Sequence, residues 1–116
     1  MKLTEAEARF ADIIWEHAPL KSTELVKLCE SVLGWKKSTT YTVLRQLCER
    51  GIFQNMDAVV SPVLSKEQFY ARQGRELVKQ AFSGSLPKFL TAFIGQRKMS
   101  DAEIEELKAL IESHRE

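Results

Sequence analysis

The fold is decided by residues 38–51, which read Ser38-Thr39-Thr40-Tyr41-Thr42-Val43-Leu44-Arg45-Gln46-Leu47-Cys48-Glu49-Arg50-Gly51. Apolar or small residues recur there every three or four positions, which predicts a helix with one packed side (Thr40, Val43, Leu44 and Leu47). The opposite side is polar (Thr39, Thr42, Arg45, Gln46 and Glu49). Gly51 is expected to end the helix, because glycine readily adopts the left-handed conformation found there.

Two further helices are predicted before this stretch. The first begins at a capping box, in which Thr4 is followed three residues later by Glu7, and its packed side is expected to be Ala6, Phe10, Ile13, Ile14 and His17. Pro19 separates it from the second helix. For that helix Ser22 is the expected N-cap, Gly34 the end, and Leu25, Leu28, Cys29 and Val32 the apolar stripe.

After Gly51 the pattern changes from helical to extended. Residues 52–56 and 58–64 are predicted to form two short strands joined by a tight turn near Asp57. Pro62 indicates that the second strand lies at an edge or ends early. Three helices followed by a hairpin predict a winged helix-turn-helix, a mainly α fold with a small β-hairpin wing, over residues 1–64.

Composition narrows the function classes. The chain has 116 residues, a net charge of +1 and no long apolar run, which excludes a membrane span. The charged N-terminal helix argues against a signal peptide, so we expect a cytoplasmic protein. Neither a metal-ligand cluster nor a catalytic constellation is present, which predicts no cofactor, no metal and no enzyme activity.

The cysteines, histidines and tryptophans of the chain are mostly expected to be structural. Cys29 and Cys48 are interpreted as packed thiols, with a disulfide or thiol sensor as the alternative. His17 is expected to pack or cap at the end of the first helix, far in sequence from His114. Trp15 and Trp35 are interpreted as core aromatics.

Charge is concentrated near the third helix. Residues 1–64 carry equal numbers of acidic and basic groups, but within 36–51 four basic residues stand against Glu49 alone. A local basic stripe on a neutral body is typical of site-specific nucleic-acid binding, although an ordinary solvated face has the same composition. The expected DNA-binding residues are Lys36, Lys37, Ser38, Thr39, Tyr41, Thr42, Arg45 and Gln46. The first four suit phosphates, and Thr42, Arg45 and Gln46 suit base edges, whereas Tyr41 either contacts DNA or wedges between helices.

Residues 65–116 are predicted to form three more helices. Two begin at capping boxes, Ser65-Lys66-Glu67-Gln68 and Ser100-Asp101-Ala102-Glu103, and the middle one follows the break at Gly84 and Ser85. Each helix has one apolar side, and the segment is too short to enclose a core alone, which predicts a two-fold homodimer. Packing onto the winged domain of the same chain is the alternative. The expected dimer residues are Phe69, Leu77, Phe82, Leu86, Phe89, Leu90, Phe93, Ile94, Ile104, Leu107, Leu110 and Ile111.

Several motifs together resemble the penicillinase repressor family, which includes methicillin-resistance and copper-transport repressors. They are Leu3-Thr4-Glu5-Ala6-Glu7, Ile14-Trp15, Trp35, residues 38–45 with Leu47 and Gly51, Ser61-Pro62-Val63-Leu64-Ser65, Tyr70, Gly84-Ser85 and residues 100–107. The resemblance covers almost the whole chain. It implies a dimeric winged-helix repressor whose recognition helix presents Thr39, Thr42, Arg45 and Gln46 to double-stranded operator DNA.

The chain departs from that family at three points. The antibiotic-resistance repressors are cleaved at an Asn-Phe bond, where this chain has Ala92-Phe93, and Phe93 is expected to be buried. The copper-responsive branch ends in a cysteine-rich site, whereas residues 111–116 contain no cysteine. The wing lacks the basic residue that family wings often carry. The sequence thus predicts a repressor whose release mechanism differs, with a protein-interaction module that does not bind specific DNA as the alternative function.

Overall fold

The computed structural model describes residues 2–116, which form six helices and three strands within that range. In chain order these are α1 (Glu5–His17), β1 (Leu20–Lys21), α2 (Ser22–Leu33), α3 (Lys37–Glu49), β2 (Phe53–Met56), β3 (Val59–Pro62), α4 (Lys66–Ala81), α5 (Leu86–Ile94) and α6 (Asp101–Ser113). The contacts divide the chain into two compact units, one ending at Leu77 and the other comprising Val78–Glu116. A winged helix with additional C-terminal helices is therefore the observed architecture, as the sequence predicts. The predicted boundary after residue 64, between a DNA-binding domain and a dimerisation region, stays a prediction.

Helix α1 begins at the capping box expected from the sequence. The Glu7 backbone N–H donates to Thr4 Oγ1 at 3.1 Å, and the Thr4 N–H donates to Glu7 Oε1 at 2.9 Å. These two bonds satisfy donors that have no partner within the helix. Phe10, Ile13 and Ile14 on this helix are buried as predicted, but Ala6 and His17 are exposed. His17 instead caps the helix end, because its Nδ1 lies 2.9 Å from the Ile13 carbonyl oxygen.

Replacing Thr4 with alanine should lower the free energy of unfolding by about 1 kcal/mol, because the N-cap hydroxyl is lost. Urea unfolding followed by circular dichroism would measure the change. Thr4→Ser is the matched control, since serine retains the hydroxyl and should unfold close to the wild-type midpoint. Equal midpoints for Thr4→Ala and Thr4→Ser would contradict a stabilising role for this cap.

Helix α2 differs from the prediction at its first residue. Its N-cap is Lys21 rather than Ser22, and no side chain caps the helix. Lys21 is also the last residue of β1, so the strand leads directly into the helix with extended backbone. Ser22 lies inside the first turn, where its N–H donates to the Ala58 carbonyl at 2.8 Å. Gly34 ends the helix with φ of 70°, as predicted.

The sheet has three strands, one more than the sequence predicts. Its order is β1-β3-β2, with β3 antiparallel to both neighbours. The hairpin turns at Asp57 and Ala58, whose φ values of 53° and 61° match the mirror-image turn that follows the strand twist. β3 is consequently a central strand, so of the two alternatives that Pro62 indicated, the early end of the strand is confirmed and the edge position is wrong. Pro62 is tolerated because β1 pairs only with Val59 and Val60, and β3 ends at Pro62.

The core of the first unit lies between the three helices, the sheet and the first turns of α4. Its buried apolar residues are Phe10, Ala11, Ile13, Ile14, Leu20, Leu25, Cys29, Leu44, Leu47, Ile52, Phe53, Val60 and Phe69. Trp35 stacks on Phe10 with ring centroids 5.4 Å apart, and Trp15 lies 5.3 Å from Phe53. Both tryptophans therefore pack against the core as predicted, whereas Val32 is exposed.

The beginning of α4 belongs to the first unit. Trp15 Nε1–H donates to the Leu64 carbonyl at 3.0 Å, and Lys66 Nζ lies 2.9 Å from Asp12 Oδ1 on α1. Phe69 is 2% exposed and packs 5.8 Å from the Trp15 ring. Phe69 is thus a core residue, and its expected place in a dimer surface is corrected.

The second unit contains the last turn of α4 with α5 and α6. Ser85 and Ser100 cap α5 and α6, accepting bonds from the Lys88 and Glu103 backbone N–H groups. Neither α5 nor α6 contains a buried residue. The unit therefore leaves much of its apolar surface uncovered. Among residues 2–116, every helix is too short or too polar to cross a membrane.

Candidate nucleic-acid interface

Helix α3 presents two faces of opposite character. Thr40, Leu44 and Leu47 are at most 2% exposed and hold the helix against the core. Seven of the eight residues expected to bind DNA are exposed, namely Lys36, Lys37, Ser38, Thr39, Thr42, Arg45 and Gln46. The packed face fixes the helix on the domain, and the polar face remains free for another molecule.

Tyr41 is the one expected DNA-binding residue that turns toward the protein. Its ring is half-buried, and its hydroxyl donates to Ser22 Oγ at 3.2 Å. Of the two interpretations of Tyr41, the observed contact matches the wedge between helices. This hydrogen bond joins α2 to α3 and so helps to set the angle between the two helices.

The α3 N-terminus has unpaired backbone donors. Lys36 is its N-cap and contributes no capping hydrogen bond, and the first turn contains no acidic residue. The first backbone bond onto the Lys36 carbonyl comes from the Thr40 N–H, so three preceding N–H groups lack helical partners. Such groups, together with the helix dipole and two exposed lysines, can bind phosphate oxygens.

Helix α2 also begins without a side-chain cap, but its first turn contains Glu24 and its Ser22 N–H already donates to the Ala58 carbonyl. Lys21 is its N-cap without a side-chain bond, and the adjacent Thr23 is exposed. By contrast, α1, α5 and α6 all begin at a hydroxyl cap. A lysine directly before a helix is the signal that could have identified Lys21 and Thr23 as further candidates for phosphate contact.

The guanidinium of Arg45 is free to contact a ligand. Within residues 2–116 it makes no ion pair or hydrogen bond, and it lines a shallow groove of about 380 Å³ between α3 and β2 with Tyr41, Leu44, Cys48 and Asn55. Gln46 is exposed one residue further along. Thr42 is exposed too, although its hydroxyl donates to the Ser38 carbonyl at 2.9 Å and keeps only its acceptor capacity.

The wing, formed by β2, β3 and their turn, buries Phe53 and Val60 in the core, exposes residues 54–59, and is uncharged except at Asp57. Residues 52–64 contain neither lysine nor arginine. Gln54 Nε2 donates to Ser61 Oγ at 3.0 Å across the hairpin, leaving Asn55 as the polar side chain nearest the groove. This wing offers hydrogen bonds but little electrostatic attraction to phosphates.

Both cysteines are free thiols. Burial raises the pKa of the Cys48 thiol above its ordinary value, and the neighbouring Glu49 carboxylate raises it further. Burial also raises the pKa of the Cys29 thiol, against a smaller opposing effect of a hydrogen bond with Thr40. A raised pKa leaves less reactive thiolate at neutral pH.

Cys48 should therefore be alkylated by iodoacetamide more slowly than a free thiol at pH 7, and the rate should rise as the pH approaches and passes the raised pKa. Mass spectrometry of the modified protein over time would measure this rate. A Cys29→Ala protein isolates Cys48, and an unfolded sample gives the reference rate. Alkylation at pH 7 faster than in the unfolded sample would contradict the expectation.

The predicted dimer residues of the second unit remain incompletely covered. Leu86, Phe93, Leu110 and Ile111 are 54, 63, 56 and 58% exposed. Phe82, Phe89, Leu90, Ile94, Ile104 and Leu107 are half-buried, and Leu77 at the end of the first unit is 50% exposed. The expectation that Phe93 is buried is wrong for a single chain, because α5 and α6 enclose too little volume to cover it.

Five apolar side chains of α5 and α6 line a common groove. It has a volume of about 330 Å³ and is lined by Leu90, Phe93, Ile94, Arg97, Met99, Glu103, Glu106, Leu107 and Leu110. The Phe89 and Phe93 rings stack with centroids 5.5 Å apart, and the Arg97 guanidinium lies 5.5 Å above Phe93. The groove is thus an apolar surface with charged residues at its rim, a composition found at protein interfaces.

Comparison with known proteins identifies the family. Residues 3–113 match the family model described as penicillinase repressor. The penicillinase repressor of Bacillus licheniformis is 21% identical over 118 residues, an alignment that covers 98% of this chain and 92% of that protein. The chain therefore belongs to the penicillinase repressor family, whose members are transcriptional regulators rather than enzymes.

Proposed function

We propose that this protein is a sequence-specific transcriptional repressor that binds an inverted-repeat operator as a homodimer. The observation that carries the proposal is the polar face of α3. Its exposed amide, guanidinium and hydroxyl groups stand on a helix whose other face is locked into the core. A rigid helix with free donors and acceptors on one side is the element that helix-turn-helix proteins insert into the major groove.

Phosphate contacts would come from the start of α3. Lys36 and Lys37 supply positive charge, Ser38 and Thr39 supply hydroxyls, and the unpaired N–H groups supply further donors. Such contacts fix the register of the helix on DNA but carry no sequence information. Lys21 and Thr23 at the start of α2 would add contacts of the same type.

Base contacts would come from Thr42, Arg45 and Gln46. Arginine can donate two hydrogen bonds to guanine O6 and N7, and glutamine can pair with adenine N6 and N7. A threonine methyl group can pack on the methyl group of thymine. Because the wing has no basic residue, α3 would supply most of both the affinity and the specificity.

A second copy of the chain would cover the apolar groove of α5 and α6 together with the exposed Leu86 and Ile111 beside Leu110. The supporting observation is the exposure of Leu86, Phe93, Leu110 and Ile111 on a unit without a buried residue in either helix. Pairing the same surface on two copies would bury these residues and present two recognition helices to an inverted repeat. The acidic side chains of α6 would repel phosphates, so this helix is not proposed to contact DNA.

Salt dependence tests the proposed partner. A dimer with roughly 6–10 phosphate contacts should lose about 10³–10⁵ in affinity for duplex DNA between 50 and 200 mM salt, because bound counterions are released. Fluorescence anisotropy with labelled duplexes would give the slope. Affinity that is weak at both concentrations and independent of salt would reject DNA as the partner and favour a protein-binding role for the α3 face.

A further inference from the structure

Arg50 differs from the other cations near the recognition helix in where its side chain lies. It is the C-cap residue of α3, and its side chain is 29% exposed. Nη2 donates to the Lys2 carbonyl oxygen at 2.7 Å, and Nη1 lies 3.5 Å from Glu7 Oε2. Arg50 therefore connects the end of α3 to the beginning of α1, although its sequence position suggests a place in the basic stripe.

The partner of Arg50 is itself held firmly. Glu7 is the capping-box residue of α1, so its Oε1 accepts from the Thr4 N–H while its own N–H donates to Thr4 Oγ1. Its side chain is only 19% exposed. One carboxylate thus serves both the start of α1 and the end of α3, and ordering it for one contact favours the other.

The backbone links Arg50 directly to the base-reading turn. The Arg50 N–H donates to the Gln46 carbonyl at 3.1 Å. Gln46 and its neighbour Arg45 are the residues proposed to read base edges. Any displacement of the last turn of α3 would therefore change the direction of these side chains.

We propose that Arg50 is a positioning residue for DNA recognition, which fixes the base-reading turn of α3 against the capped start of α1 and does not contact DNA itself. The proposal rests on the proposed function. Hydrogen bonds to base edges require accurate donor–acceptor distances and angles, whereas phosphate contacts by flexible lysines tolerate small shifts. Loosening Arg50 should therefore impair sequence preference more than general affinity.

Arg50→Gln should weaken binding to the selected operator about three- to tenfold, which lies within the range of effects of positions that act without touching the ligand. Affinity for an unrelated duplex and the salt slope should stay at their wild-type values, because no phosphate contact is lost. Lys2→Ala is the matched control. It removes one positive charge from the same region but keeps the backbone carbonyl that Arg50 uses, so operator preference should be unchanged.

Glu7→Gln tests whether Arg50 acts through this contact. Glutamine can still accept from the Thr4 N–H, so the cap should be retained while the charge that faces Arg50 is lost. The variant that carries both Arg50→Gln and Glu7→Gln should lose less operator affinity than the two fold-losses of the single variants multiplied together, because both substitutions break the same contact. Circular dichroism at the assay temperature would establish that each variant is folded.

Three results would overturn the proposal. A salt slope lower by about one for Arg50→Gln, with equal losses on operator and unrelated DNA, would mean that Arg50 contacts a phosphate. Strictly additive losses for the two substitutions would show that Arg50 does not act through Glu7. No loss for Arg50→Gln would show that Arg50 does not position the base-reading turn. If wild-type protein fails to prefer any duplex, the proposed function fails first, and Arg45→Ala would then be equally without effect on preference.

Discussion

Arg45→Ala is expected to bind the preferred operator about 1–3 kcal/mol more weakly than the wild type, which is the usual contribution of one arginine contacting a guanine. The guanidinium is exposed and has no partner among residues 2–116, so its removal should leave the fold intact. The loss of sequence preference should be confined to the base pair that Arg45 contacts, where other bases should become tolerated. Affinity for all other single-base variants of the operator should fall in parallel.

Arg45→Lys is the matched variant for this prediction. Lysine keeps the positive charge but lacks the planar fork that donates two parallel hydrogen bonds. We expect Arg45→Lys to retain affinity for random duplex DNA and to lose most of the preference at the same base pair. Competition binding with an operator and its single-base variants measures both quantities. Equal losses on operator and random DNA for Arg45→Ala, with none for Arg45→Lys, would show that Arg45 contacts only phosphate.

Phe93→Glu should produce the largest change in DNA binding. Phe93 is 63% exposed in one chain and lies in the apolar groove proposed to pair with a second copy. A carboxylate there would have to be desolvated in the apolar interface, and the nearby Arg97 guanidinium would offset only part of that cost. The protein should become monomeric, and operator affinity should fall about 10²-fold or more, because two linked half-site contacts become independent.

Thr91→Glu is the control for this substitution. Thr91 lies on α5 as well, is exposed, and does not line the groove. It introduces the same charge but should leave both the dimer and its operator affinity intact. Sedimentation equilibrium gives the mass of each variant, and gel-shift titration gives the affinity. A wild-type monomer, or a Phe93→Glu protein that remains dimeric, would contradict the proposed interface.

Locally encoded features are the ones that the sequence predicts well. The capping boxes at Thr4 and Ser65 form as expected, whereas the one predicted at Ser100 forms only the bond from the Glu103 N–H to Ser100 Oγ. The hairpin turn at Asp57 and the end of α3 at Gly51, with φ of 79°, also depend on a few neighbouring residues. Helical periodicity identifies most of the buried faces of α1, α2 and α3, although Ala6, His17 and Val32 are exposed.

Features that depend on residues far apart in the sequence could not be predicted from local patterns. The two residues of β1 form a strand only because Val59 and Val60 lie beside them, nearly forty positions away. Lys21 is the N-cap of α2 because its pairing with Val59 holds its backbone extended. Ser22 consequently lies inside the helix and bonds to Tyr41 instead of capping it. Phe69 has the same apolar character in a core or in an interface, so periodicity cannot assign its neighbours.

Some features of the candidate site are likewise encoded locally, and others depend on distant residues. Helical periodicity identifies which residues share the polar face of α3, and the residue types indicate phosphate or base contact. It does not tell which cation already has a partner, and only the structure reveals that Arg50 binds the start of α1. Likewise, the exposure of Phe93 depends on how little volume α5 and α6 enclose, which no local pattern encodes.

Selection of binders from random duplex DNA by the purified protein tests the central claim most directly. The selection should be repeated at low and moderate salt, so that sequence preference separates from general electrostatic attraction. We predict enrichment of an inverted repeat whose half-sites lie about one helical turn apart, as a two-fold dimer requires. Weak, salt-sensitive retention of DNA without any enriched sequence would contradict a dimeric operator-binding repressor.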